Sequence, residues 1–174
     1  MIPTDEPPEL GECTFSFAES PASLQSAPNV RQRVRDMVRA STQPITWLLD
    51  GVVLVEVEWS IHERLRWETD ATADLDNILK PLLDGFTGPG GILVDDSQIR
   101  SLNVAWYSTT EEQQQVRVRF RFDPEHFLPK QDVVFVRVDS ALCYPVPGEI
   151  RESLALPLWL AALKAAVATR DALS

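Results

Sequence analysis

Apolar and polar residues alternate most regularly in two stretches of this chain. In GVVLVEVEWSI (51–61), Val53, Val55, Val57 and Trp59 fall on one face of an extended backbone, and Leu54, Glu56 and Glu58 fall on the other. In QQVRVRFRF (114–122), Val116, Val118, Phe120 and Phe122 oppose Arg117, Arg119 and Arg121. Successive side chains of a strand point to opposite faces, so both stretches predict half-buried strands rich in β-branched and aromatic residues. CTFSFA (13–18) alternates more weakly. IRSLNVAWYS (99–108) and DVVFVRV (132–138) are further strand candidates, and GILV (91–94) reads as a short extended run.

Two stretches carry the helical period instead. NVRQRVRDMVRA (29–40) places Val30, Val34, Met37 and Val38 at helical spacing, with Arg31, Arg33, Arg35 and Arg39 around them. Residues 75–86 gather Leu75, Ile78, Leu79, Leu82, Leu83 and Phe86 on one side, and Gly85 and Gly88 are expected to end that helix. Pro81 lies inside it, removes one amide donor and leaves the Asn77 carbonyl without its helical partner, so a kink or tightened first turn is expected. A further helix is expected after Ile150, with Leu154, Leu158, Leu160, Leu163 and Val167 interrupted by Pro157. ESPASLQSAP (19–28) reads as a loop, and HERLRWETDATA (62–73) as a polar connection. The order of elements predicts an α+β fold in which helices pack on a mixed β-sheet, with an extra strand and helix at the C-terminal end. Residues 1–12 are expected to form a flexible acidic N-terminus, 13–122 the main domain and 123–174 a C-terminal extension.

The 174 residues suffice for one domain with a substantial core, and 44% hydrophobic with 24% charged residues is ordinary globular composition. The most apolar run, LALPLWLAALKAAVA (154–168), is short for a membrane span and contains Pro157 and Lys164. The first residues carry acids where a secretory signal carries bases. Cys13 and Cys143 are the two cysteines and form no CxxC pattern, which disfavours both a zinc site and a disulfide scaffold. These features lead to the expectation of a cytoplasmic protein with no membrane partner. The formal net charge of −10 argues against a protein that coats nucleic acid, but its distribution is uneven. Residues 1–27 hold five acids and no Lys or Arg, whereas residues 28–122 hold 11 bases and 14 acids.

Several of those 14 acids sit in one short unit. ADLDNILKPLLDGFTGPGGILVDDSQ (73–98) opens on Asp74 and Asp76 and closes on Asp95 and Asp96. If the helix packs beside the following extended run, three or four carboxylates meet at one end of the sheet. Asp95 and Asp96 point to opposite sides of an extended chain, so only one of them need reach Asp74 and Asp76. Such a cluster calls for a counter-charge, and a site built of oxygen donors suits Mg²⁺ or Mn²⁺. Lys80 lies one helical turn after Asp76, where an ammonium beside a metal holds a phosphate or stabilises developing charge. Metal, carboxylates and lysine together fit metal-assisted phosphodiester hydrolysis. Each piece alone has a plainer reading. The Asp74–Asp76 pair is common in turns, and Asp76 with Lys80 is an ordinary surface helix pair. Asp84 before Gly85 reads as a helix terminus, and Asp95-Asp96-Ser97 as a polar turn. His62 and His126 read as surface residues, and Ser97 lacks the nearby base a nucleophilic serine requires.

Taken in order, Asp74-Leu75-Asp76-Asn77, Lys80, Asp84-Gly85, Gly88 and Asp95-Asp96-Ser97-Gln98-Ile99 resemble the RusA family of Holliday junction resolvases. The match is dense over residues 74–99 and looser over 29–122. The resemblance implies a homodimeric α+β endonuclease that uses Mg²⁺ or Mn²⁺ to cut branched DNA. It implies Asp74, Asp76 and Asp96 as metal ligands, Asp95 as a supporting carboxylate and Lys80 as the phosphate-facing cation. Two symmetric cuts in a four-way junction match a two-fold dimer. Arg31, Arg35, Arg64, Arg66 and the face made by Arg117, Arg119 and Arg121 are the candidates for junction phosphates, that face being otherwise the solvent side of an edge strand. The chain departs from the family in three respects. It has Glu68-Thr69-Asp70-Ala71-Thr72-Ala73 where bases often precede the first aspartate, it lacks a basic Pro-rich loop after the first strand, and it is longer and acidic overall. Two other readings are a nuclease for flaps, forks or RNA, and a RusA-like scaffold without cleavage activity. The scaffold would act as an interaction module, with the acidic N-terminus and C-terminal extension as its partner surface.

Overall fold

The two alternating stretches become adjacent strands of one sheet. The structure is a computed structural model. It describes residues 2–18, 27–63, 75–110, 114–137 and 143–147 and helical positions 157, 158, 161, 162, 164, 165 and 168; for 75–78, 136–137 and 143–147 it describes the backbone alone. The chain divides into two compact units, Met1–Phe127 and Leu128–Ser174.

In the first unit, β1 (Glu12–Phe17), β2 (Trp47–Leu49), β3 (Val53–His62), β4 (Ile99–Thr109) and β5 (Gln115–Phe122) accompany the helices α1 (Pro28–Thr42) and α2 (Leu75–Phe86). The main sheet has the order β1-β5-β3-β4. β5 runs antiparallel to both β1 and β3, and β3 runs parallel to β4. Parallel neighbours need a crossover, and α2 lies in the β3-to-β4 connection. This is the expected α+β fold with a mixed sheet.

The alternation fixes which face is buried. Val53, Val55, Val57, Trp59 and Ile61 of β3 join Val116, Val118 and Phe120 of β5 and Phe15 and Phe17 of β1 in the core. Both helices cover that face: Val34 and Val38 of α1 and Leu82, Leu83 and Phe86 of α2 belong to the same cluster. Phe86 sits at its centre, with ring centroids 4.8 Å from Phe120 and 5.1 Å from Phe15. Full burial of one such side chain is worth about 1.5–3 kcal/mol. The opposite face carries Leu54, Glu56 and Glu58, with Leu54 43% exposed. The N-terminal segment is tied to β2, because the Trp47 indole N–H donates to the Pro3 carbonyl at 3.1 Å and the Thr46 amide to the Thr4 carbonyl at 2.7 Å.

Three local expectations are revised. GILV (91–94) is not a strand. Its Leu93 makes isolated bridges to Leu49 and Thr87, and the amides of Ile92 and Leu93 both donate to the Phe86 carbonyl, at 2.9 and 3.0 Å. The carbonyls of a last helical turn lack intrahelical partners, and this segment folds back to supply them. Gly85 does not end α2; it lies inside the helix, where a Cβ would come within 2.7 Å of the Val38 Cβ, so its bareness lets α1 approach. Gly88, at φ +78°, makes the left-handed turn that follows the helix. Pro81 lies inside α2, as its place in the sequence pattern predicts. Finally, β5 is an interior strand rather than an edge, so its arginine face lies between β1 and β3.

In the second unit, after the short strand β6 (Phe127–Pro129), β7 (Val133–Arg137) pairs antiparallel with β8 (Cys143–Pro147). The C-terminal helical positions follow, and Leu158 among them is 75% exposed. No helix of the described residues is long and apolar enough to cross a membrane.

Candidate active site

Lys80 is the residue around which the site can be built. It lies in α2, one turn after position 76 and one turn before Asp84, so the three positions form one stripe along the helix. Its ammonium lies 2.7 Å from Asp96 Oδ2 and 3.0 Å from Asp84 Oδ1. The first contact joins two ends of the acidic unit that are distant in sequence, bringing the Asp95-Asp96 turn against the helix that carries position 76. The hydrogen bond that Lys80 donates to Asp96 leads the effects that raise the Lys80 pKa above its ordinary value, so the side chain is a cation throughout the neutral range. Asp96 is 42% exposed, which leaves its carboxylate open to solvent and to a ligand.

The turn presenting Asp96 is locked by its neighbours. Residues Asp96–Gln98 form a single 3₁₀ turn directly before β4, with Asp95 as its extended N-cap. Asp95 Oδ1 accepts from the Ser97 amide at 2.9 Å, and Gln98 Oε1 accepts from the Asp95 amide at 3.0 Å, a reciprocal capping box. The Gln98 Nε2 group donates to the carbonyls of Leu49, at the end of β2, at 2.9 Å and of Gly51, on the β2–β3 connection, at 2.8 Å. The hydrogen bond from Ser97 holds the Asp95 carboxyl below the usual carboxylate range. The adjacent aspartates therefore diverge: Asp95 caps its own turn while Asp96 reaches the lysine.

The candidate phosphate contacts separate into groups. Arg35 of α1 donates to Asp84 Oδ2 at 2.8 Å, so Asp84 binds Arg35 through one oxygen and Lys80 through the other. Arg31 lies on the same helix, with its Nε buried. Arg117, Arg119 and Arg121 project from β5 among three glutamates. Arg117 meets Glu58 at 3.3 Å, and Arg119 meets Glu56 at 3.2 Å and Glu12 at 3.6 Å. Arg121 meets both Glu12 and Glu56 at 3.2 Å. Register dictates this lattice, since Glu56 is opposite Arg119, Glu58 opposite Arg117 and Glu12 opposite Arg121. Three guanidiniums and three carboxylates leave this patch without a net charge. Arg64, Arg66 and Asp74 lie outside the described residues, and Asp76 is described in its backbone alone.

Asp96 and Asp95 offer hard oxygen donors. That chemistry suits Mg²⁺ or Mn²⁺ better than zinc. Among the described residues no group of three or more His, Cys, Asp or Glu assembles into a metal-holding cluster. The remaining carboxylates of the expected set, Asp74 and the Asp76 side chain, are outside that description.

Two contributors had no assigned role in the sequence reading. Asp84 reads locally as a helix terminus, although its spacing of four from Lys80 signals a partner on the same stripe. Gln98 stood in the motif without a function, and the box it forms with Asp95 is the signal that finds it.

A comparison with curated proteins finds no match. A comparison with protein families matches residues 23–121 to Endodeoxyribonuclease RusA. The matched span covers more than half of the chain and contains α1, the main sheet from β3 to β5, Lys80, Asp84 and the Asp95–Gln98 turn. With that span and this placement of its acidic unit, the chain belongs to the RusA endodeoxyribonuclease family.

Proposed function

We propose that this protein is a divalent-metal-dependent endonuclease that cuts branched DNA and, as a homodimer, resolves four-way junctions by paired nicks. The observation that carries the reading is the 2.7 Å contact between Lys80 and Asp96, because it joins the helix that carries position 76 to the turn of the second acidic pair. Asp74, Asp76 and Asp96 would hold Mg²⁺ or Mn²⁺, with Asp95 as the supporting carboxylate. Such an ion supplies a Lewis acid for the phosphoryl oxygen and lowers the pKa of a bound water. Lys80 neutralises charge on the phosphate at the same point. Arg35, tied to the site through Asp84, and Arg31 on the same helix would meet the flanking backbone, and Arg64 and Arg66 would extend that path. A cytoplasmic site of action goes with a DNA substrate.

The test is cleavage of a synthetic four-way junction, a flap and a linear duplex, in Mg²⁺ and in EDTA, beside Asp76→Asn. The reading expects symmetric, metal-dependent nicks on the junction that the variant lacks. Cleavage of all three substrates points to a broader nuclease instead.

A second reading draws on the C-terminal unit, where the exposed Leu158 lies on a helical segment. A RusA-like scaffold that binds a protein partner through this extension, without cutting, would leave all three substrates intact in any metal.

A further inference from the structure

We propose that Asp84 is a positioning residue for Lys80: it keeps the ammonium at the site when a cation takes the Asp96 carboxylate. This inference rests on the metal-dependent reading above and concerns a residue which that reading leaves without a role.

The argument starts from a conflict. Asp96 is a candidate metal ligand, yet its Oδ2 accepts from Lys80 at 2.7 Å. A divalent cation and an ammonium compete for that oxygen. The Lys80 side chain is 51% exposed and carries four rotatable bonds, so with Asp96 as its one anchor it would swing into solvent once displaced. Asp84 supplies the second anchor. Its Oδ1 lies 3.0 Å from Lys80, and its Oδ2 is occupied by Arg35 at 2.8 Å, which fixes the orientation of the carboxylate. Asp84 is less exposed than either Lys80 or Asp96. Its position is set by packing, because the neighbouring Gly85 admits Val38, and Arg35 is one turn before Val38 on α1. An asparagine at 84 retains one acceptor oxygen and turns an NH₂ group towards one of the two cations, so it cannot hold both.

The test uses Asp84→Asn, Asp84→Glu, Lys80→Met and the Asp84→Asn/Lys80→Met double variant in the full chain, with thermal melts to establish folding. Mn²⁺ binding without DNA is followed by electron paramagnetic resonance, and junction cleavage by single turnovers at saturating protein. We expect Asp84→Asn to weaken Mn²⁺ about 10-fold and to slow cleavage about 10-fold, the scale of losses for groups that orient metal-site residues. Junction affinity does not fall, since Arg35 is released rather than lost, and Asp84→Glu recovers most of both losses. The double variant cuts no more slowly than Lys80→Met alone, and in the Lys80→Met background the asparagine no longer weakens Mn²⁺. Wild-type Mn²⁺ affinity and rate in Asp84→Asn overturn the proposal, as do losses that add to those of Lys80→Met, which mark a mere tie between helices. If the wild type cuts no substrate, the nuclease reading fails, and the Mn²⁺ arm alone decides the role of Asp84. A wild type that binds no Mn²⁺ overturns both.

Discussion

Lys80 and Asp96 are sixteen residues apart in sequence and 2.7 Å apart at their charged atoms. One belongs to the second turn of α2 and the other to the turn that starts β4, so their meeting is a property of the β3–α2–β4 arrangement. The pair is half-exposed, and an exposed ion pair stabilises a fold by only about 0–1 kcal/mol. Its placement beside the acidic unit is explained by chemistry better than by stability.

Lys80→Met therefore separates the two roles. Thermal unfolding should change little, since one exposed cation and its two surface pairs are lost. Single-turnover cleavage of a four-way junction should fall about 100-fold, the low end of losses on removing one donor that stabilises transition-state charge. A variant that cuts at the wild-type rate would place the phosphate-facing charge elsewhere.

Gln98 should matter to stability and to cutting together. Its side chain satisfies one amide and two carbonyls, from Asp95, Leu49 and Gly51. Gln98→Ala abandons all three, and an unsatisfied partly buried polar group costs about 1–3 kcal/mol. Gln98→Glu should be worse at neutral pH, because it sets a carboxylate oxygen against the Leu49 and Gly51 carbonyls. Denaturant unfolding of the two variants checks that order, and a carboxylate variant as stable as the alanine one would refute it.

The parts of this fold that local pattern controls were legible in the sequence. The alternation at Val53–Trp59 and Val116–Phe122 gave the buried faces of β3 and β5, and the periodic residues of 75–86 gave α2 with its observed bounds. What escaped depends on tertiary neighbours. GILV reads as extended until the Phe86 carbonyl is there to take its amides. Gly85 reads as a helix stop until Val38 is there to need the space. The glutamate partners of the β5 arginines emerge only with the strand order, since nothing local says that Glu56 lies opposite Arg119. At the site, the residue types were legible, but the contact of Lys80 with Asp96 depends on the β3–α2–β4 arrangement, and Asp74 and the Asp76 side chain lie outside the described residues.

Cys13 yields a prediction about pH. Its thiol is 4% exposed, and burial, aided by the neighbouring Glu12 charge, pushes its pKa from 9.0 up to about 12. The folded state then holds this proton more tightly than the unfolded state. The resulting stability is fully present below about pH 9 and is lost as pH rises through about 12. At pH 8 roughly one part in ten thousand of the native group is thiolate, so alkylation should await unfolding. Mass spectrometry of the Cys13 peptide should find it unmodified in the native protein and modified in denaturant. Above pH 9, wild-type stability should fall more steeply than that of Cys13→Ala. Equal slopes would show that the folded thiol ionises like a free one.

The last prediction concerns the arginine face of the sheet. Arg117, Arg119 and Arg121 are matched by Glu12, Glu56 and Glu58, so a phosphate approaching them meets a patch with no net charge. Each phosphate contact that displaces a counterion steepens the salt dependence of binding by about one unit. Arg119→Ala should therefore leave the affinity for a junction and its salt slope nearly unchanged, while Arg31→Ala on α1 should weaken binding and flatten the slope by about one. Glu56→Gln supplies the converse test. It removes an acceptor shared by Arg119 at 3.2 Å and Arg121 at 3.2 Å, frees positive charge, and should tighten binding to plain duplex while leaving the cleavage centre untouched. Fluorescence anisotropy across a salt series measures all three slopes. A flattened slope in Arg119→Ala with no change in Arg31→Ala would move the DNA path from the helix to the sheet.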